Sequence, residues 1–307
     1  MLAGGISHER DVSLRSGRRL ADALAEQGIA VELRDPDAAL LEHLVESAPD
    51  VIWPVLHGSS GEDGSLYAML ELLGVPFVGS PSASARLAWD KPTAKTIVAR
   101  AGLATPHSIT LPREAFRDLG AARVLGTITG SLPLPLVVKP AQGGSAQGVT
   151  IVHDVDGLSR AMVDAYTYAD TAIVESAVTG TEVAIGVIDT GGGPVALPAV
   201  EIEPLSGVYS FEARYNAGET RFYAPARLDR EVSERAAAAA ITAHTALGLG
   251  HLSRVDFIVD ADGIPWFLEC NVAPGLTETS LVPQALEAAG HDLGWIYSAL
   301  VDAARGA

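Results

Sequence analysis

The stretch Arg254-Val255-Asp256-Phe257-Ile258-Val259, Asp260-Ala261-Asp262-Gly263-Ile264, Pro265-Trp266-Phe267-Leu268-Glu269-Cys270-Asn271 decides how this chain folds. Residues 256–259 and 265–268 are short apolar runs, and Asp260-Ala261-Asp262-Gly263 between them is a turn signal, so the spacing predicts one β-hairpin. A hairpin lays the start of its first strand beside the end of its second. Asp256, Glu269 and Asn271 then share one end, with Glu269 and Asn271 two apart on one face. Two carboxylates and an amide oxygen suit a hard cation, Mg²⁺ carried by phosphates. Surface acids flanking a turn would be the plainer reading. It leaves unexplained why Glu269 ends an apolar run and why Pro274-Gly275 follows at once. Cys270, between two of these residues, falls on the opposite face of a regular strand and reads as a packed thiol.

Of the 21 lysines and arginines only Lys91, Lys95 and Lys139 are lysine. In a chain that otherwise uses arginine, a retained lysine points to a place that wants a compact, rotatable ammonium. Lys139 closes the apolar run 134–138, and Pro140-Ala141-Gln142-Gly143-Gly144-Ser145-Ala146-Gln147-Gly148 leads to a second run, Val149-Thr150-Ile151-Val152. Strand, lysine, glycine loop and strand describe a flap over phosphate, where glycines turn backbone N–H groups to the anion and the lysine adds a point charge. It is not a P-loop, because the lysine precedes the glycines and no G-x-x-x-x-G-K-[ST] occurs.

At 307 residues and 48% hydrophobic content the chain can bury a large core and divide into two or three domains. A net charge of −17 argues against a nucleic-acid partner, so an anionic ligand needs its own local cations. One cysteine excludes a disulfide framework and fits a reducing cytoplasm. No apolar run approaches the roughly 18 residues of a membrane span, and Met1-Leu2-Ala3 runs into Gly4-Gly5 without a signal-peptide pattern.

Residues 1–85 alternate helical periodicity (16–27) with strand-like runs (30–33, 51–56 ending at His57-Gly58, and 75–79). That alternation predicts an open parallel α/β sheet whose strand ends bind ligand. Residues 86–178 hold a helix near 92–101, the flap and a strand at 171–175; residues 179–307 hold further strands, a helix over 229–247, the hairpin and a closing helix. Gly191-Gly192-Gly193 reads as a hairpin turn.

Several motifs follow one another in order. They are Gly4-Gly5-Ile6-Ser7-His8-Glu9-Arg10-Asp11-Val12-Ser13, His57-Gly58-Ser59-Ser60-Gly61-Glu62-Asp63-Gly64, Trp89-Asp90-Lys91, and Lys139 with Gly144-Ser145. Glu175 and Glu182 come next, then Tyr209-Ser210-Phe211-Glu212-Ala213-Arg214-Tyr215, then Glu269-Cys270-Asn271 through Ser280-Leu281. In this order they resemble the D-alanine–D-alanine ligases of the ATP-grasp superfamily, nearly end to end. The resemblance implies an α/β, ATP-grasp fold: an N-terminal open parallel α/β domain (1–85) and two α+β domains (86–178 and 179–307) sandwiching ATP. It implies that Glu9 holds the first substrate's ammonium and is linked by hydrogen bonds to Ser145 and Tyr215. Lys91 and Lys139 would reach nucleotide phosphate, and Glu175 and Glu182 the adenosine. Asp256, Glu269 and Asn271 would hold Mg²⁺, with two ions expected and Mn²⁺ a substitute. Arg254 and the Gly275 N–H would stabilise an oxyanion, and His57, Arg214, Ser280 and Leu281 would bind substrate.

The implied reaction follows from a carboxylate being a poor electrophile. The first D-alanine carboxylate would attack the γ-phosphate of ATP to give an acylphosphate, and the amine of the second D-alanine would displace phosphate. The flap and the lid over 205–220 would exclude water. The implied setting is peptidoglycan precursor synthesis in the cytoplasm, with D-alanine and ATP as small-molecule partners, a homodimer as the assembly, and neither nucleic acid nor membrane. Three positions depart from the family: Phe211 replaces a tyrosine, Arg214 a lysine near the second substrate's carboxylate, and Ser176 a lysine beside adenine. The first strand, before Gly4-Gly5, is also short.

Without the resemblance Glu9 would read as an acid capping the helix that follows; with it, Ser7 becomes the better cap candidate. His57, at the C-terminal end of a strand before Gly58, reads as a ligand position of an α/β sheet, with a satisfied core histidine as the plainer alternative. Trp53 and Trp266 read as core; His107, His153, His244, Arg100, Arg123 and Arg235 read as ordinary polar positions. Two alternatives stay open. One is a carboxylate–amine ligase for another dipeptide or a specialised metabolite; the other is a nucleotide-binding protein without turnover. Retention of Arg254, Asp256, Glu269, Asn271, Lys91 and Lys139 argues against the second.

Overall fold

The computed structural model describes residues 1–306 except 206, 208, 210–212 and 214–217. Phe211, Arg214 and Tyr215 therefore lie outside the described residues. Four strands, β1 (Ser108–Pro112), β2 (Leu136–Pro140), β3 (Thr150–Val152) and β4 (Thr171–Ser176), form an antiparallel sheet in the order β1-β4-β2-β3. Six more strands are β5 (Thr181–Ile188), β6 (Val195–Ala196), β7 (Val200–Pro204), β8 (Thr220–Tyr223), β9 (Leu252–Val259) and β10 (Pro265–Asn271). They run in the order β10-β9-β5-β7-β8, with β6 beside β5.

β5 shows why the larger sheet is covered on both faces. Successive strand side chains point to opposite sides, and here both sides are apolar. Ala184 and Ile188 join a core with Leu20, Leu281, Val282 and Tyr297, while Val183, Ile185 and Val187 join another with Phe257, Phe267 and Ala236. On that second face lies the helix Arg230–Ala246, whose buried stripe is Ala236, Ala239, Ala240, Ala243 and His244. These positions recur at helical spacing, and small side chains let the helix axis approach the sheet.

In the smaller sheet β2 alternates the same way. Leu136 and Val138 enter a core with Leu158, Met162 and Phe116, so Val137 and Lys139 occupy the other face. β4 matches it: Ala172 and Val174 join that core, and Glu175 stands opposite Val137. A lysine and a glutamate are thus presented together on the open face.

The hairpin forms as the spacing predicts. β9 and β10 pair antiparallel from Val259↔Pro265 to Arg254↔Asn271. The register shifts between Phe267 and Glu269, a bulge that spacing alone does not reveal. Without it Leu268 would face Asp256; with it Glu269 does.

The N-terminal segment is thinner than a continuous ladder. Its parallel pairings are single bridges, Leu2↔Arg34, Leu2↔Pro54 and Ile52↔Phe77. The short first strand lies between two others, because the Leu2 N–H donates to the Trp53 carbonyl (3.0 Å) and the Ala3 N–H to the Arg34 carbonyl (2.9 Å). The helix Arg10–Glu26 follows it directly. Trp53 is buried as expected, whereas Trp266 is half-buried and donates its indole N–H to Asp260 Oδ2 at 2.8 Å, so it is a turn clamp rather than a core residue.

Candidate active site

Two cavities meet above the hairpin. The smaller, about 120 Å³, is lined by Glu9, His57, Ser145, Arg254, Asn271, Gly275, Ser280 and Leu281, all singled out from sequence. The larger, about 580 Å³, is lined by Lys139, Glu175, Glu182 and Asp256 among polar groups and by Val137, Ile151, Ile202, Ile258 and Leu268 among apolar ones. Lys91, Gly143, Gly144, Tyr209 and Glu269 line both. The larger volume and mixed lining suit a nucleotide, and the smaller suits an amino-acid-sized ligand.

Glu9 precedes the helix Arg10–Glu26, but its side chain makes no capping bond to it. Its Oε1 instead accepts a hydrogen bond from the Ser145 hydroxyl, which ties the flap to the N-terminal segment. Ser7 Oγ accepts from the Glu9 N–H at 3.2 Å, so the helix-terminal role falls nearer Ser7. Ser145 and Ala146 have φ of 52° and 56°, the left-handed region that L residues enter at a cost of roughly 1–2 kcal/mol each. The flap is further held by Lys91, whose ammonium donates to the Gly143 carbonyl at 2.5 Å.

Lys91, Lys95, Lys139 and Arg254 each pair with a carboxylate. Lys91 Nζ lies 3.1 Å from Glu269 Oε2. Arg254 is bidentate on Asp256, Nε to Oδ1 and one terminal nitrogen to Oδ2, both 2.8 Å. Burial alone would lower the Arg254 pKa, but Asp256 and the nearby Glu269 raise it, so the guanidinium stays charged. Asn271 Oδ1 accepts from the Ala273 N–H at 2.9 Å. Glu175 bridges two ammoniums, Lys95 at 2.5 Å and Lys139 at 2.6 Å. Gly275 lacks a Cβ where one would meet Ser280 Oγ at 2.8 Å, and Ser280 Oγ accepts from the Thr277 N–H at 3.0 Å. The glycine is what lets this loop close on the cavity.

His57 at the end of the 51–56 run is buried, with Nδ1 3.0 Å from the Ala273 carbonyl. Its Nε2 is buried without a partner in the described structure. Burial lowers its pKa, the negative Glu9 opposing, so the ring is neutral, and with one nitrogen unsatisfied beside the smaller cavity it is not a fully satisfied core histidine.

Sequence reasoning left Glu62 and Lys95 without roles. Glu62 lies in the His57–Gly64 motif but is buried, accepting from the Gly58 N–H at 2.9 Å. Desolvation first, then Glu9, pushes its pKa up to about 8. A carboxyl with a raised pKa holds an extra proton in the folded state from its ordinary value near 4.5 up to about 8, so its stabilising contribution is full below 4.5 and lost as pH rises through 8. Glu62→Gln keeps the acceptor oxygen without the charge. It is expected to raise Tm over the parent at pH 8.5 and to flatten the Tm profile from pH 5 to 8.5; parallel melting curves would contradict this. Cys270 is a buried free thiol whose pKa burial raises, as its packed reading requires.

Residues 35–80 match the family model of the D-ala D-ala ligase N-terminus and residues 97–303 that of the D-ala D-ala ligase C-terminus. A D-alanine–D-alanine ligase of Bordetella petrii is 38% identical over 290 residues, 94% of this chain and 86% of that one. Among solved structures, the VanG D-Ala:D-Ser ligase of Enterococcus faecalis superposes with a TM-score of 0.82 at 27% identity, covering 99% of this chain and 98% of that one. The Bacillus anthracis D-alanine–D-alanine ligase complexed with ATP gives a TM-score of 0.78 at 29% identity, covering 99% and 95%.

Proposed function

The chain belongs to the D-alanine–D-alanine ligase family, and from that premise we propose that it joins two D-alanines in an ATP-dependent, ADP-forming reaction that supplies peptidoglycan synthesis. The observation that carries this reading is the shared lining of the two cavities. Lys91, Gly143, Gly144 and Glu269 sit where a nucleotide's terminal phosphate in the larger cavity would meet a carboxylate in the smaller.

Within that frame Glu9 binds the donor's ammonium, fixed by Ser145 and, by family likeness, Tyr215. Lys91 and Lys139 neutralise phosphate, and Glu175 and Glu182 face the nucleoside. Arg254, oriented by Asp256, and the Gly275 N–H stabilise the oxyanion formed when the acceptor amine attacks. His57, Ser280 and Leu281 bound the amino-acid space, and by family likeness Arg214, outside the described residues, would take the acceptor's carboxylate. Asp256 and Glu269 face each other across the bulge, and each already attracts a cation, Arg254 or Lys91. Oxygen donors at a place that draws positive charge fit magnesium, which Asp256, Glu269 and Asn271 would hold. Magnesium there would withdraw charge from phosphate oxygens.

The domains are taken as 1–85, 86–178 and 179–307. A homodimer is supported by exposed Leu41, Val45, Met69 and Leu72 on the helices Leu40–Ser47 and Ser65–Leu73, whose inner faces share one core. A cytoplasmic setting is supported by the single buried thiol and by the lack, among the described residues, of a helix long and apolar enough to cross a membrane.

Ser145→Ala removes the bond between flap and Glu9. Turnover is expected to fall about tenfold, the scale of one hydrogen bond to a charged group, and the ratio of ADP to dipeptide to rise as water enters. An unchanged ratio would show that this bond does not seal the site. The D-Ala:D-Ser neighbour favours one second reading, a different acceptor. Competition among D-alanine, D-serine and D-lactate at pH 7, with products weighed by mass spectrometry, tests it; D-alanine is expected to prevail.

A further inference from the structure

Lys95 touches neither cavity, yet it is among the most deeply buried charged groups here, 4% exposed. It lies on the helix Lys91–Arg100, one turn beyond Lys91, and donates to Glu175 Oε2 at 2.5 Å and to the Pro106 carbonyl at 3.0 Å. Glu175, 2% exposed, uses its other oxygen for Lys139 at 2.6 Å. Glu175 and Lys139 line the nucleotide cavity, and Lys95 approaches Glu175 from behind.

A buried carboxylate needs compensation nearby, and one partner removed leaves a costly uncompensated charge. With a single ammonium, Glu175 would take the charge of Lys139 for itself. With two, one positive charge is left over, and the lysine at the cavity can turn it to an anion. We propose that Lys95 is a positioning residue for nucleotide binding: it neutralises Glu175 from behind, so that the Lys139 ammonium stays available to the phosphates. This rests on the nucleotide reading of the larger cavity.

The test is calorimetric titration of the full-length enzyme with ADP, and with a non-hydrolysable ATP analogue, beside steady-state kinetics. Lys95→Met is expected to weaken nucleotide affinity about tenfold and to raise the KM for ATP in step. The KM values for D-alanine should stay within about twofold, since the smaller cavity keeps all its groups. Lys95→Arg, which restores the charge, should recover most of the affinity. Lys95→Gln, which keeps a hydrogen-bond donor toward Glu175 and loses only the charge, should bind nucleotide as weakly as Lys95→Met. A residue that only supports the fold would leave the nucleotide affinity of a folded neutral variant at the parental value.

If Lys95→Met does not fold, Lys95→Gln decides. Parental nucleotide affinity in either folded neutral variant would overturn the proposal, as would a folded Lys95→Arg that binds no better than Lys95→Met. Parent enzyme that binds no nucleotide would instead overturn the reading of the cavity.

Discussion

Glu269→Gln is expected to lower kcat/KM by about a thousandfold or more while leaving the fold in place. Glu269 stands opposite Asp256 because of the bulge, and its carboxylate is the ion-pair partner of Lys91 at the junction of the two cavities. The amide keeps size and one acceptor oxygen but removes the charge. A hard divalent ion loses an anionic ligand, and the Lys91 ammonium loses the carboxylate that places it, so two contributions to phosphate neutralisation weaken together. The measurement is ADP release across a magnesium titration, with circular dichroism to confirm folding. The remaining activity should need more magnesium. Parental activity at ordinary magnesium would remove Glu269 from the site.

Arg254→Met is expected to cost about 10²–10³ in kcat, the scale of losing one preorganised oxyanion donor. It should also destabilise the protein, because Asp256 is 5% exposed and both its oxygens are held by Arg254. Removing one partner of a buried pair costs about 3–5 kcal/mol. The two effects separate in Arg254→Lys, which keeps a cation beside Asp256 but not the planar fork that can reach a second oxygen. Melting temperature should recover toward the parent, whereas turnover should not. Recovery of turnover with stability would mean that Arg254 serves only to compensate Asp256.

Much of this was legible in the chain. The hairpin was readable because two apolar runs flank an Asp-Ala-Asp-Gly turn, and β9 and β10 pair where that turn puts them. The flap was readable because Lys139 alternates with core residues on β2 and glycines follow. The bulge was not, since one extra residue in a ladder leaves no periodic trace; it is nonetheless what places Glu269 opposite Asp256. Arg254 and Asp256 share a strand face, but sequence does not tell whether the guanidinium turns to a ligand or to its neighbour. Lys95 was conspicuous as one of three lysines, yet its partner lies 80 residues away on β4, a contact only the fold creates. The parallel N-terminal sheet expected from the alternation is present as single parallel bridges, because each segment contributes so few residues.

The most direct measurement is the product itself. Purified protein with D-alanine, ATP and magnesium should yield D-alanyl-D-alanine by mass spectrometry, with one ADP and one phosphate per dipeptide and no dipeptide when ATP is omitted. ADP release that D-alanine does not stimulate, or a nucleotide that binds and is never turned over, would contradict the assignment of this site to ligation.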